Sequence, residues 1–114
     1  MTYAPNVSVS IPYDKEKLAR VASLLHAVAD PQRLSILAML AEKELCVTDL
    51  SSITSDDLPT ISQRLKLLYE AGLVKRRRQG KHIFYSTVKK YYLTEAVFTL
   101  LDTSENSQTS TDSE

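Results

Sequence analysis

A mainly α-helical domain with a small antiparallel β-hairpin is predicted by three features of the 114-residue sequence. The first is the run DLPTISQRLKLLYEAG, Asp57 to Gly72, in which Ile61, Leu65 and Leu68 recur at spacings of four and three. That period puts an apolar stripe on one side of a helix. The second lies directly after it: Leu73 to Arg78 and His82 to Ser86 are strand-like and are joined by a turn containing Gly80, the pattern of a hairpin. The third is charge. Between Thr60 and Lys90 there are nine Lys and Arg against one acid, Glu70. A helix with a polar outer face followed by a cationic hairpin is the order of a winged helix-turn-helix, with four helices before the two strands and one after.

Each element has its own signals. Residues 1–12 contain Pro5 and Pro12 and show no helical period, which predicts a flexible N-terminal arm, loose or lying on a partner subunit. The domain is expected to span 13–102. Its first helix starts at Tyr13 or Asp14 and carries Leu18, Val21, Leu24, Leu25 and Val28. Asp30 as cap and Pro31 in the first turn start a second helix bearing Leu34, Ile36, Leu37 and Leu40 and ending near Ala41. Glu42-Lys43-Glu44 is a solvated link, Leu45-Cys46-Val47 begins the next packed element, and Thr48 or Cys46 sits at the start of a short third helix to about Ile53. Thr54-Ser55-Asp56 turns the chain into the fourth, capped by Asp57, with Pro59 in its first turn and Gly72 closing it. After the hairpin, Thr87 is expected to cap a last helix from Val88 to Asp102. That helix is apolar over more than one face, which a second chain would bury. The expected homodimer interface is therefore Leu18, Val21 and Leu25 with Tyr92, Leu93, Ala96, Val97 and Leu100. Residues 103–114 are Ser, Thr, Asn, Gln, Asp and Glu only, a disordered acidic tail.

Composition narrows the function. The formal net charge is zero, but residues 1–59 hold five basic and eight acidic side chains, and the chain after Lys90 has five acids and no Lys or Arg. The cationic segment between them suits a nucleic-acid partner. No apolar run approaches the ~18 residues of a membrane span. The amino end lacks a secretory pattern, and the single cysteine, Cys46, excludes an internal disulfide and suits a reducing cytoplasm. No enzyme is indicated: Gly72 and Gly80, the only glycines, are explained by a cap and a turn, and no nucleophile–base pair or phosphate loop is present.

The candidate DNA-contacting residues come from these elements. On the fourth helix, Gln63 matches adenine and Arg64 guanine in the major groove, Thr60 and Ser62 suit phosphate, and Lys66 extends the same face. Side chains alternate along a strand, so two of the four cations Lys75 to Arg78 face the duplex; Arg76 and Arg78 are taken as that pair. Lys81 at the wing tip and His82 beside it join them. Arg33 is placed either on phosphate together with the amino end of its helix or, equally, in an intrachain pair with an acid. Competing readings are a winged-helix module that binds another protein, and a metal- or thiol-responsive sensor built on Cys46 in a non-standard site.

The segments LLHAVADPQRLSIL, ELCVTDL, TISQRLKLLYEAGLV and RRRQGKHIFYS together resemble the ArsR/SmtB family of small transcriptional repressors, from about Val21 to Ser86. The resemblance implies a homodimer joined by its first and last helices. It implies binding to a palindromic operator in double-stranded DNA and, in most members, release by a metal or other effector. It maps the family's D-P-x-R turn onto Asp30, Pro31 and Arg33, the front of the recognition helix onto Leu58 to Lys66, and the wing tip onto Gln79-Gly80-Lys81. Arg64 stands where many relatives carry histidine. The family's Cys-Val-Cys metal site is matched here by Cys46, Val47 and Thr48, and its last-helix site finds no histidine between residues 87 and 102. Neither site is complete, so no metal and no cofactor is expected. Cys46 and His26 remain the weak metal candidates, and the effector is left open.

Overall fold

The computed structural model describes the backbone of residues 2–112 and the side chains of residues 2–103. The elements are α1 (Lys15–Val28), α2 (Pro31–Glu42), β1 (Leu45–Cys46), α3 (Val47–Thr54), α4 (Leu58–Glu70), β2 (Val74–Gln79), β3 (His82–Thr87) and α5 (Tyr92–Asp112). Three helices start at an aspartate whose carboxylate accepts from a backbone N–H in the first turn: Asp14 from Lys17 at 2.7 Å, Asp30 from Arg33 at 2.9 Å and Asp57 from Thr60 at 2.9 Å. These bonds satisfy donors that the helix cannot. Ser55, between α3 and α4, takes a left-handed conformation with φ 64°, which fixes the tight helix-turn-helix corner.

The core gathers where these elements meet. Ile36 and Leu37 of α2, Leu50 of α3, Ile61, Leu65 and Leu68 of α4, and Leu73 ahead of β2 are fully buried. Each such side chain contributes about 1.5–3 kcal/mol through removal from water. Their spacing on α4 is the stripe expected from the sequence.

The sheet has three strands in the order β1-β3-β2, all antiparallel. The hairpin is as expected. The third strand is not: Leu45 and Cys46 pair with Tyr85 and Phe84, a bridge too short to leave a periodic trace. The hairpin turn places Gly80 at φ 63° as the first of two loop residues, the type II′ position that glycine favours.

The last helix differs from expectation at both ends. Thr87 does not cap it; Thr87 ends β3, is buried, and its hydroxyl donates to the Leu37 carbonyl at 3.1 Å. Val88 then donates its N–H to the Leu73 carbonyl at 2.9 Å, which keeps the chain on the sheet and delays α5 until Tyr92. At the other end α5 runs past Asp102 to Asp112. The side chains expected to form a disordered tail lie, from residue 104, outside the described residues. Residues 2–11 form neither helix nor strand and are exposed.

Candidate nucleic-acid interface

The outward face of α4 is set by what its inward stripe buries. With Ile61, Leu65 and Leu68 in the core, Ser62, Gln63, Lys66, Tyr69 and Glu70 are exposed. Ser62, Gln63 and Lys66 therefore stand together on one side, as the sequence indicated. Thr60 and Arg64 do not. Both are half-buried on the flank of the helix. Thr60's side chain and N–H bind the Asp57 carboxylate and hold its pKa below the usual range. Arg64 Nη1 lies 2.7 Å from Asp56 Oδ2 in an ion pair whose side chains are 19% and 35% exposed. The expected free guanidinium is thus tied to the turn, by an acid whose partner the sequence alone does not reveal.

The wing divides its cations by the pleat of β2. Arg76 sits opposite Tyr85 in the register, and its guanidinium carbon is 4.0 Å from the centroid of the Tyr69 ring, a cation–π contact. Ser62, Lys66, Tyr69 and Arg76 line one open groove between α4 and the wing. Arg78 is exposed, and by strand periodicity shares the face of Arg76. Arg77 points the other way. Its Nε and Nη2 reach the Glu44 carboxylate at 2.6–3.0 Å, its Nη1 reaches Gln79 Oε1 at 2.7 Å, and its guanidinium lies over Phe84. The Arg77 hydrogen bonds depress the Glu44 pKa, and the same pairing raises that of Arg77. Lys81 and His82 are exposed at the tip, where a side chain added at Gly80 would meet nothing within 4 Å. Tyr69, missed by the sequence reading, belongs to this groove; its signal was its position three residues after Lys66 and seven after Ser62.

Arg33 is engaged within the chain, by carbonyls and not by an acid. Its Nε donates to the Ala27 carbonyl at 2.7 Å and its Nη2 to the His26 carbonyl at 2.9 Å. It closes the C-terminal end of α1, whose carbonyls lack helical partners, and is not extended toward phosphate. The amino end of α2, expected to share that phosphate, is already filled by the Asp30 carboxylate.

Cys46 is buried, and its Sγ donates to Asp49 Oδ2 at 3.2 Å, beside a 3.1 Å bond from its own N–H to the same oxygen. The N–H bond is the largest cause of the lowered Asp49 pKa. His26 is exposed on α1, and its backbone carbonyl accepts from Arg33 Nη2. Among the described residues no group of three or more His, Cys, Asp and Glu is placed to hold a metal ion, and no helix is long and apolar enough to cross a membrane.

The expected dimer residues split as well. Leu18, Val21 and Leu25 of α1 are 44%, 48% and 53% exposed, and Tyr92 and Leu100 of α5 are also exposed, as is Ala96. Leu93 and Val97 are instead buried in the core of the single chain, because α5 turns that side inward.

A helix-turn-helix with an exposed polar second helix and a cationic wing defines a winged-helix DNA-binding regulator. The model of the "Bacterial regulatory protein, arsR family" matches residues 30–76, the stretch from the start of α2 into the wing. A biofilm growth-associated repressor of Xylella fastidiosa is 39% identical over 81% of this chain and 83% of its own length. A transcriptional repressor SmtB homolog of Synechocystis is 33% identical over 68% of this chain, which spans only 59% of that relative's length. Among solved structures, a homodimeric winged helix-turn-helix DNA-binding domain from Mycobacterium bovis, described as a possible ArsR-family transcriptional regulator, superposes with a TM-score of 0.70. It is 28% identical, covering 88% of this chain and 91% of that one. The chain belongs to the ArsR/SmtB family of winged-helix transcriptional regulators. Members of this family are DNA-binding regulators and not enzymes.

Proposed function

We propose that the protein is a homodimeric, sequence-specific transcriptional repressor that binds a palindromic operator, its own promoter included, in the cytoplasm. The observation that carries this reading is the joint exposure of Ser62, Gln63 and Lys66 on α4 beside the Arg76–Tyr69 stack. Inserted in a major groove, α4 brings Gln63 to base edges, Ser62 and Lys66 to the groove wall, and Arg76, Arg78 and Lys81 to the neighbouring phosphates. Arg77, held by Glu44, is left off the duplex. The second copy is supported by the apolar side chains that one chain leaves in water: Leu18, Val21 and Leu25 on α1, and Tyr92 and Leu100 on α5. It is further supported by the apolar groove of Val28, Leu34, Val97, Leu100 and Leu101. A C2 pairing of these faces would set two α4 helices on one side of a duplex.

The test is a gel shift at physiological salt on DNA upstream of the protein's own gene with random-DNA competitor, paired with sedimentation of the free protein. A retained dimer and a competitor-resistant complex are expected. A monomer, or a complex that random DNA abolishes, rejects the reading.

A further inference from the structure

The Asp56–Arg64 pair sits one residue round the helix from Gln63, at the edge of the face assigned to DNA. It is held by a fixed acceptor. The Asp56 carbonyl accepts from Ser51 Oγ at 2.5 Å, its N–H donates to Thr54 Oγ1 at 3.3 Å, and the residue before it is locked left-handed at φ 64°. The carboxylate is therefore pre-positioned by the turn and not carried by a mobile loop. Arg64 meets it through one nitrogen, Nη1 at 2.7 Å, so the fork of the guanidinium is not filled by this contact. The pair is partly solvated, which makes it weak enough to exchange.

We propose that Asp56 is a specificity-determining residue, a built-in competitor that gives up Arg64 to a guanine edge but not to backbone phosphate. This role rests on the DNA reading of α4. A phosphate can take the guanidinium fork as well as a base edge can, but phosphate entering here meets the like charges of Asp56 and Asp57, a repulsion that a neutral base edge does not meet. Guanine presents O6 and N7 together, matching the whole fork. Arg64 thus stays silent on random DNA and engages only where the base is right. Without the carboxylate the same guanidinium would act as an ordinary cation and tighten non-specific binding.

The experiment uses the full chain and two probes: duplexes that the wild-type protein selects from a random pool, and unselected random duplex. Binding is measured as a function of salt for wild type, Asp56→Asn and Asp56→Glu, with thermal melts to verify folding. Asp56→Asn is expected to bind random duplex about five-fold tighter, with the log–log salt slope steeper by about 0.9, one additional phosphate contact. Its gain on selected duplex is expected to be smaller, so discrimination narrows. Asp56→Glu is expected to keep the wild-type ratio. An Asp56→Asn protein with unchanged slope and ratio, or with equal losses on both probes, overturns the proposal. Arg64→Gln supplies a second readout that does not require altering the turn acid: its selected pool is expected to lose one G·C preference, and an identical selected sequence also overturns the proposal. Failure of the wild-type chain to select any duplex would instead remove the DNA reading itself.

Discussion

Helices α2 and α4 begin alike and end in different roles. Each is capped by an aspartate and carries proline in its first turn, and each has an arginine that its sequence alone would send to DNA. In α2, Ile36, Leu37 and Leu40 are buried, and Arg33 folds back to close α1. In α4 the buried stripe is Ile61, Leu65 and Leu68, and the opposite side stays in water with Ser62, Gln63 and Lys66. Start signals place a helix; the fraction of its circumference consumed by the core decides whether it holds the fold together or presents side chains to a partner.

The contrast is broken most severely at the core. Leu37→Ala is expected to destabilise the fold by about 2–5 kcal/mol through a cavity, read as a lowered denaturation midpoint. An effect below about 1 kcal/mol would mean that α2 is not the packed centre. Gln63→Ala is expected to do the reverse, leaving the midpoint unchanged while weakening operator binding by about 1–3 kcal/mol and relaxing one base preference. Equal losses on operator and random duplex would place Gln63 on phosphate. The two caps sharpen the comparison further. Asp30→Ala is expected to cost about 1 kcal/mol of stability and Asp57→Ala to lower the denaturation midpoint as well, but Asp57→Ala alone should also alter DNA binding, measured by titration of both variants on the same duplex.

The smallest effect is on acid stability. Glu44, Asp49 and Asp57 have folded pKa values below their ordinary ones, held down chiefly by Arg77, by the Cys46 N–H and by Thr60 respectively. A depressed carboxylate binds fewer protons folded than unfolded, so its contribution is complete above the ordinary carboxylate range and disappears as pH falls through the lowered values. All three are solvent-screened, so a shallow decline of melting temperature below that range is expected. In Glu44→Gln the decline should be shallower still; an identical profile would show that the Arg77 pair does not form in solution.

Much of the architecture was legible in the chain. Caps, helical period and the Gly80 turn are local signals, and they located the hairpin and four of the five helix starts closely. The fifth was misplaced because Val88 bonds to Leu73 across the end of the sheet, and β1 was unseen because two residues carry no periodicity. On α4, the shared exposure of Ser62, Gln63 and Lys66 was recoverable from the i, i+1 and i+4 positions opposite the apolar stripe. The intrachain partners of Arg33, Thr60 and Arg64 were not, since each is engaged by a group whose location depends on a turn or on the preceding helix.

By itself, then, the sequence determined which segments are helix or strand, which stripe of α4 enters the core, and that a cationic wing comes after it, because these depend on neighbours within a few residues. Tertiary structure alone decided which cations remain free. Glu44 finds Arg77 from 33 residues away and Thr87 finds the Leu37 carbonyl from 50, and such pairings exist only after the chain has folded and brought distant charges and carbonyls within hydrogen-bond reach.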